Sequence, residues 1–248
     1  MLNVKNAEQI AFIKQACKIV GDTLKVVEDN VRVGMTTAQL DKIAYDFIIK
    51  CGARPNFLHY HGFPATCCIS IDEEIVHGIP SKHRYIEEGQ IVSVDLGATI
   101  HGYNGDAART FCIGKVSPAK QKLVKVTEEC FFEAIKIIRG GVRLGDIGFA
   151  VSSHAHKYGY GVVTELVGHG IGSTLHEEPN IPNYGFKGRG IRLPTNMTVC
   201  IEPMINMGTP GVVFSPNGWT AITKDGQPSA HYENTILITD DGAEILTL

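Results

Sequence analysis

Residues 91–110 read IVSVDLGATIHGYNGDAART, and this stretch decides the fold. Ile91, Val92, Val94 and Leu96 make an apolar strand that carries Asp95, and Asp106 lies at the start of a second strand beyond a Gly/Asn-containing turn. An apolar run bearing a carboxylate is not a solvated surface. A turn centred near Ile100 and His101 predicts Asp95 directly opposite Asp106, where cross-strand Cβ atoms lie ~5 Å apart. Two carboxylates that close repel each other, and protonation or a cation must relieve them. A strand-end Asp and a turn Asp would each be unremarkable alone, so the rest of the chain decides.

The composition is that of a globular protein. The 248 residues fit one large domain spanning 1–248, with 44% hydrophobic and 20% charged residues. A net charge of −3 lacks the basic footprint of a generic nucleic-acid binder, so specific DNA is not an expected partner. There is no run of 18 apolar residues, so no membrane span is expected. The opening MLNVKNAEQIAFIKQ lacks the charged-then-apolar plan of a signal peptide. Seven cysteines without a CxxC pair form neither a disulfide framework nor a zinc knuckle. A reduced, cytoplasmic protein is the expectation.

Outward from the hairpin, the plan occurs twice. Asn6 and Gln9 form a capping box before a helix with Ile10, Ile13, Cys17, Val20, Leu24 and Val27 on one face. Thr36 caps a second helix that turns Leu40, Ile43, Ala44 and Phe47 inward. Ser117-Pro118 starts a third helix with Leu123, Val126, Cys130, Ala134 and Ile137 inside, and a fourth covers about Asp146 to Tyr158. Strands are predicted at Val162–Val167, Met197–Ile205, Val212–Phe214, Trp219–Thr223, His231–Thr239 and Ala243–Leu248. Val31-Arg32-x-Gly34 recurs as Val142-Arg143-x-Gly145, and at the same offset Leu40 meets Val151, Ala44 meets Ala155 and Phe47 meets Tyr158. IVSVDLG with Asp95 is echoed by TVCIEPM with Glu202. The halves divide at about 1–114 and 115–248, and each carries an acidic strand residue.

The second half supplies further candidates. His169 lies among glycines in LVGHGIG, Glu202 ends an apolar strand before Pro203, and Glu233 sits in HYENTILIT. Each has a dull account alone, as a core histidine or a strand-edge glutamate. Four carboxylates and one imidazole at apolar strand ends are harder to explain so, because a buried carboxylate must be paired or bind metal. Oxygen-rich ligation with one imidazole suits divalent ions bridged by carboxylates, not a Cys/His structural zinc site.

These residues carry a resemblance. His77-Gly78-Ile79-Pro80, Asp95 with Asp106, Gly168-His169-Gly170-Ile171-Gly172 with His176, Ile201-Glu202-Pro203-Met204, and Tyr232-Glu233-Asn234-Thr235 together resemble the type I methionine aminopeptidases over nearly the whole chain. The resemblance implies an α+β pita-bread (creatinase/aminopeptidase) fold, two pseudo-symmetric α/β halves around a central antiparallel sheet. It implies a metalloaminopeptidase that removes the N-terminal methionine of nascent proteins, prefers a small second residue and uses a hydroxide on two divalent ions (Mn, Fe, Co or Zn). Carried over by position, the metal ligands are Asp95, Asp106, His169, Glu202 and Glu233, with Asp106 and Glu233 bridging. Glu202 also takes the proton of the attacking water, and His77 and His176 contact the substrate. The implied pocket walls are Phe57, Tyr60, Phe63, Cys68, His77, Leu175, His176 and Trp219, suited to an unbranched thioether.

Where Thr is usual in the family, this chain has Gly97, and Ala107 and Ala108 replace small hydroxyl residues. The 30 residues between Glu202 and Glu233 leave no room for the helical insert of type II enzymes. Rival readings are a prolidase or aminopeptidase P, which carry an additional N-terminal domain, and a metal-free scaffold on the same fold. The basic loop Lys187-Gly188-Arg189-Gly190-Ile191-Arg192 is the candidate ribosome contact, and the family suggests a monomer.

Overall fold

A computed structural model describes residues 2–248. The first half opens as predicted. Helix α1 (Ala7–Asn30) starts where Asn6 accepts from the Gln9 amide while Gln9 accepts from the Asn6 amide. Its buried stripe is Ile13, Cys17, Val20, Leu24 and Val27, with Ala16 and Thr23 beside them and Ile10 only half buried. Helix α2 (Thr37–Lys50) is capped by the same reciprocal pair, Thr36 with Gln39. It buries Leu40, Ala44 and Ile48, a stripe at strict four-residue spacing that leaves the expected Ile43 and Phe47 half exposed.

Short strands β1 (Arg54–Pro55), β2 (Cys67–Ile71) and β3 (Glu74–Val76) precede the long hairpin of β4 (Ile91–Ile100) and β5 (Tyr103–Cys112). Helices α3 (Pro118–Ile135) and α4 (Leu144–Lys157) open the second half. Because α3 stops at Ile135, the expected Ile137 is exposed and Ile138 takes the buried place. Ten short strands follow: β6 (Gly161–Val162), β7 (Gly168–Gly170), β8 (Glu177–Ile181), β9 (Thr198–Ile201), β10 (Met204–Asn206), β11 (Val212–Phe214), β12 (Ala221–Thr223), β13 (Ser229–His231), β14 (Glu233–Ile238) and β15 (Ala243–Ile245).

The strand expectations for the second half need correction. The predicted Val162–Val167 strand is only β6, and His169 lies within β7 rather than after a strand. Strand β8 gave no signal, since EEPNI lacks an apolar alternation. The predicted continuous strands 197–205 and 231–239 are each broken, at Glu202-Pro203 and at Tyr232. On both sides of the break the chain changes sheet. β9 and β14 pair in the large sheet, whereas β10 and β13 pair in a three-stranded one. Proline at 203 cannot continue a central ladder, and the Tyr232 amide donates to its carbonyl at 3.2 Å.

The large antiparallel sheet runs β4-β5-β14-β9-β7-β8, with β1 and β2 also bordering β4 and β15 bordering β14. About its β5/β14 seam, β2-β4-β5 of the first half matches β7-β9-β14 of the second in order. Helices α1 and α2 pack on the first trio through Leu24, Leu40, Ile69, Val94 and Leu96. Helices α3 and α4 pack on the second through Leu123, Phe131, Val151, Val199 and Ile236. This is the two-half plan the repeat predicted and the pita-bread architecture the resemblance implied. Each fully buried Leu or Ile contributes roughly 1.5–3 kcal/mol, so the helix-covered face is set firmly and the strands' alternate residues must point the other way.

Candidate metal centre and substrate cavity

Asp95 and Asp106 share that other face, but they are not directly opposite. The turn is the two-residue His101-Gly102, both with positive φ (52° and 77°), as a two-residue hairpin turn requires. This lies one residue later than expected. Asp95 therefore pairs with Ala108, and Asp106 pairs with Gly97. Moving the hairpin's centre by one residue shifts each partner by two, so both aspartates keep the same face and sit diagonally. Leu96 and Ala107, paired with each other, face the helices instead. Gly97 is itself a space requirement: a Cβ there would overlap the amide of Asn56, which occupies the room a threonine would use.

Glu202 follows β9 and Glu233 begins β14, so both stand where the strands change sheet. Arg109 holds this junction. Its guanidinium donates to the carbonyls of Ala108 and Glu233 and to Asn234 Oδ1, at 2.6–2.8 Å, and lies 4.3 Å from the Tyr232 ring centre. His169 arrives from β7. Its Nδ1 is 2.8 Å from the Gly170 carbonyl, which leaves Nε2 facing Asp106 Oδ2 and Glu202 Oε1, each 3.8 Å away.

Asp95, Asp106, His169, Glu202 and Glu233 line one cavity of about 300 Å³. Burial, reinforced by mutual repulsion, pushes the Asp95, Asp106 and Glu202 carboxyls well above their usual range. Burial also raises Glu233 to about 7 and lowers His169 to about 3. Oδ1 of Asp95, Oδ1 of Asp106 and Oε1 of Glu233 are buried without a hydrogen-bond partner among the described residues. Such orphaned carboxylate oxygens, clustered around a bare imidazole nitrogen, fit a divalent cation, which would reverse the repulsion. Cys200 is also close, since Asp106, His169, Cys200 and Glu233 have ligand atoms all within 4.8 Å of one another. In the metal-free protein, burial and the neighbouring carboxylates hold its thiol well above the usual range.

The predicted cavity walls converge. Phe57, Tyr60, Phe63, Cys68, His77, Leu175, His176 and Trp219 all line the same space. Phe63 and Trp219 meet edge to face at 5.2 Å. His176 lies on an exposed loop, its Nδ1 2.9 Å from the Tyr60 hydroxyl and its ring 4.2 Å from that of His169. His77 has φ of 59°, a left-handed conformation that costs a non-glycine residue about 1–3 kcal/mol. The next residue holds it there: a Cβ on Gly78 would collide with the Ile69 carbonyl, so β2 and this loop touch backbone to backbone. Burial, then His176, lowers the His77 pKa, favouring the neutral ring.

Sequence reasoning missed His61, Val76, Leu166, Val167, Asn180, Met204 and His231, which also line the cavity. For His231 a signal existed, because it precedes Glu233 by two residues within the predicted strand 231–239.

The chain belongs to metallopeptidase family M24, whose sequence pattern matches residues 11–240. Within that class it is similar, end to end, to methionine aminopeptidases. It is 52% identical to the methionine aminopeptidase of Clostridium acetobutylicum, over 100% of this chain and 99% of that protein. It is 40% identical to methionine aminopeptidase 1 of Bacillus subtilis, over 100% and 99% respectively. The crystal structure of methionine aminopeptidase from Thermotoga maritima superposes with a TM-score of 0.98 at 42% identity, covering 100% of this chain and 99% of that one. A prolidase from Pyrococcus furiosus shares the fold alone, with TM-score 0.77, 23% identity and 65% of its chain covered.

Proposed function

We propose that this protein is a methionine aminopeptidase acting with two divalent metal ions, and that the whole of residues 1–248 forms its one catalytic domain. The observation that carries the reading is the set of unpartnered carboxylate oxygens on Asp95, Asp106 and Glu233 in the cavity that also holds His169 and Glu202. Asp95 would hold one ion, His169 and Glu202 the other, with Asp106 and Glu233 shared. Bound divalent ions supply Lewis-acid polarisation of a carbonyl and a water acidified to near neutrality.

The chain's own groups do the rest. Glu202, its carboxyl raised by burial, accepts the proton of the attacking water and passes it to the departing amine. His176 donates toward the scissile carbonyl and amide, its ring fixed by the Tyr60 hydroxyl. His77, strained and neutral, contacts the substrate backbone. Phe57, Phe63, Cys68, Leu175 and Trp219 enclose the first side chain in an apolar, aromatic and sulfur-lined slot that favours a thioether. The second side chain passes near His77 and His176, which favours Gly, Ala or Ser. The fuller reading is a monomeric cytoplasmic enzyme acting on nascent chains. Its exposed Lys187–Arg192 loop would face the ribosome.

The test is kcat/KM on peptides beginning Met-Ala, Met-Leu, Leu-Ala and Lys-Ala, with each of Mn, Fe, Co and Zn added back to chelated protein. Met-Ala should be cleaved fastest. Faster cleavage of Leu-Ala or Lys-Ala would defeat the methionine assignment, and full activity after chelation would defeat the metal requirement.

A further inference from the structure

His231 is the one histidine in the cavity whose two ring nitrogens are both buried without a partner among the described residues. Its side chain is 2% exposed, at the end of β13, where its residue pairs with Met204. Nε2 lies 3.8 Å from Glu202 Oε2 and 4.0 Å from Glu233 Oε2. Those separations are too long for hydrogen bonds. They do match the spacing of His169, whose Nε2 stands 3.8 Å from the other Glu202 oxygen and 3.8 Å from Asp106. Two imidazoles thus bracket one carboxylate at equal distance. Imidazole and carboxylate donors sit about 2.0–2.2 Å from a zinc-sized ion, so two donors of one ion can be no more than about 4.4 Å apart. Both of His231's distances fall inside that limit.

We propose that His231 is an additional nitrogen donor to the metal centre, beside the Glu202 and Glu233 oxygens that it faces. The proposal rests on the metallopeptidase reading above. The second nitrogen of His231 lacks the outer hydrogen bond that Gly170 gives His169, so this is the more weakly oriented of the two imidazoles. A second imidazole shifts the donor set away from the all-oxygen ligation that suits Mg, Ca and Mn and toward Fe, Co and Zn.

The experiment titrates cobalt(II) and manganese(II) calorimetrically into chelated full-length protein, comparing wild type with His231→Ala and the bulkier His231→Gln. Circular dichroism confirms folding of each apo variant. X-ray absorption of the fully cobalt-loaded proteins counts imidazoles. Both variants should bind cobalt at least about tenfold more weakly at one site, lose less affinity for manganese, and show one imidazole per protein instead of two. If His231→Ala does not fold, His231→Gln alone carries the test. Wild-type cobalt affinity and an unchanged imidazole count in a folded variant would overturn the proposal, because His231 would then reach the carboxylates only through water. A wild-type protein that binds neither metal would overturn the metallopeptidase reading instead.

Discussion

Asp95 and Asp106 stand on an unbroken hairpin of two ten-residue strands, whereas Glu202 and Glu233 stand where strands leave one sheet for another. The first pair is aimed by backbone periodicity alone: alternate residues share one face of the hairpin, and the ladder from Ile91↔Cys112 to Ile100↔Tyr103 has no irregularity. The second pair is aimed by a bend, and a bend frees backbone groups that something must satisfy. Here Pro203, the Tyr232 amide and the Arg109 guanidinium do so. The same cavity is therefore half periodic and half held by side chains. The periodic half should tolerate change around its carboxylates, and the bent half should not.

The harshest way to break the comparison is to remove a carboxylate itself. Asp106→Asn should abolish most metal binding and most activity together, by more than about a hundredfold, since it removes an anionic ligand without disturbing the hairpin. Metal content by mass spectrometry beside kcat would read it, and retained metal with lost activity would contradict the ligand role.

Next in size is His176, on the loop of the bent half. His176→Ala should lower kcat about 10²–10³-fold while metal content stays near wild type. Loss of metal in proportion to activity would make it a ligand instead.

Arg109→Lys sharpens the contrast most directly. The lysine keeps the charge but not the fork that reaches Ala108, Glu233 and Asn234 together, so about 1.5–3 kcal/mol of stability should be lost. Metal affinity should fall as well, since Glu233 is no longer held. An unchanged thermal midpoint and unchanged affinity would show that the bend holds itself.

The smallest effect is on pH. In metal-free protein the Glu233 carboxyl titrates at about 7 against an ordinary value of 4.5, and the other carboxyls are raised too. A raised carboxyl adds stability that is fully present below its unfolded pKa and is lost as pH rises through its folded one. Chelated protein should therefore melt at a lower temperature at pH 8 than at pH 5, and divalent metal should remove the difference. A melting temperature that climbs with pH in the absence of metal would refute the burial that raises these carboxyls.

What could be read from the chain followed the same divide. The caps of α1 and α2, most of their buried stripes and the identity of the hairpin aspartates were written in local pattern, though Ile10, Ile43 and Phe47 were not buried as that pattern predicts. Five candidate ligands and eight candidate wall residues were nameable because the resemblance attached them to motifs, and the structure brings all of them to one cavity. The error at Asp95 and Asp106 came from placing the turn one residue early. It did no harm to the site, because a two-residue change in partner preserves the face.

By itself, the sequence determined which residues are apolar, where helices start, and which side of β4 and β5 carries charge, since periods of 2 and 3.6 are local properties of the backbone. Only the tertiary structure decided where β9–β10 and β13–β14 break, that Asn56 stands where a Gly97 side chain would go, and that Arg109 and His231 converge on Glu233. Those depend on contacts between segments distant in sequence, such as Asn56 with Gly97 and Arg109 with Glu233, and no local period encodes which distant strand will pair or where it must bend.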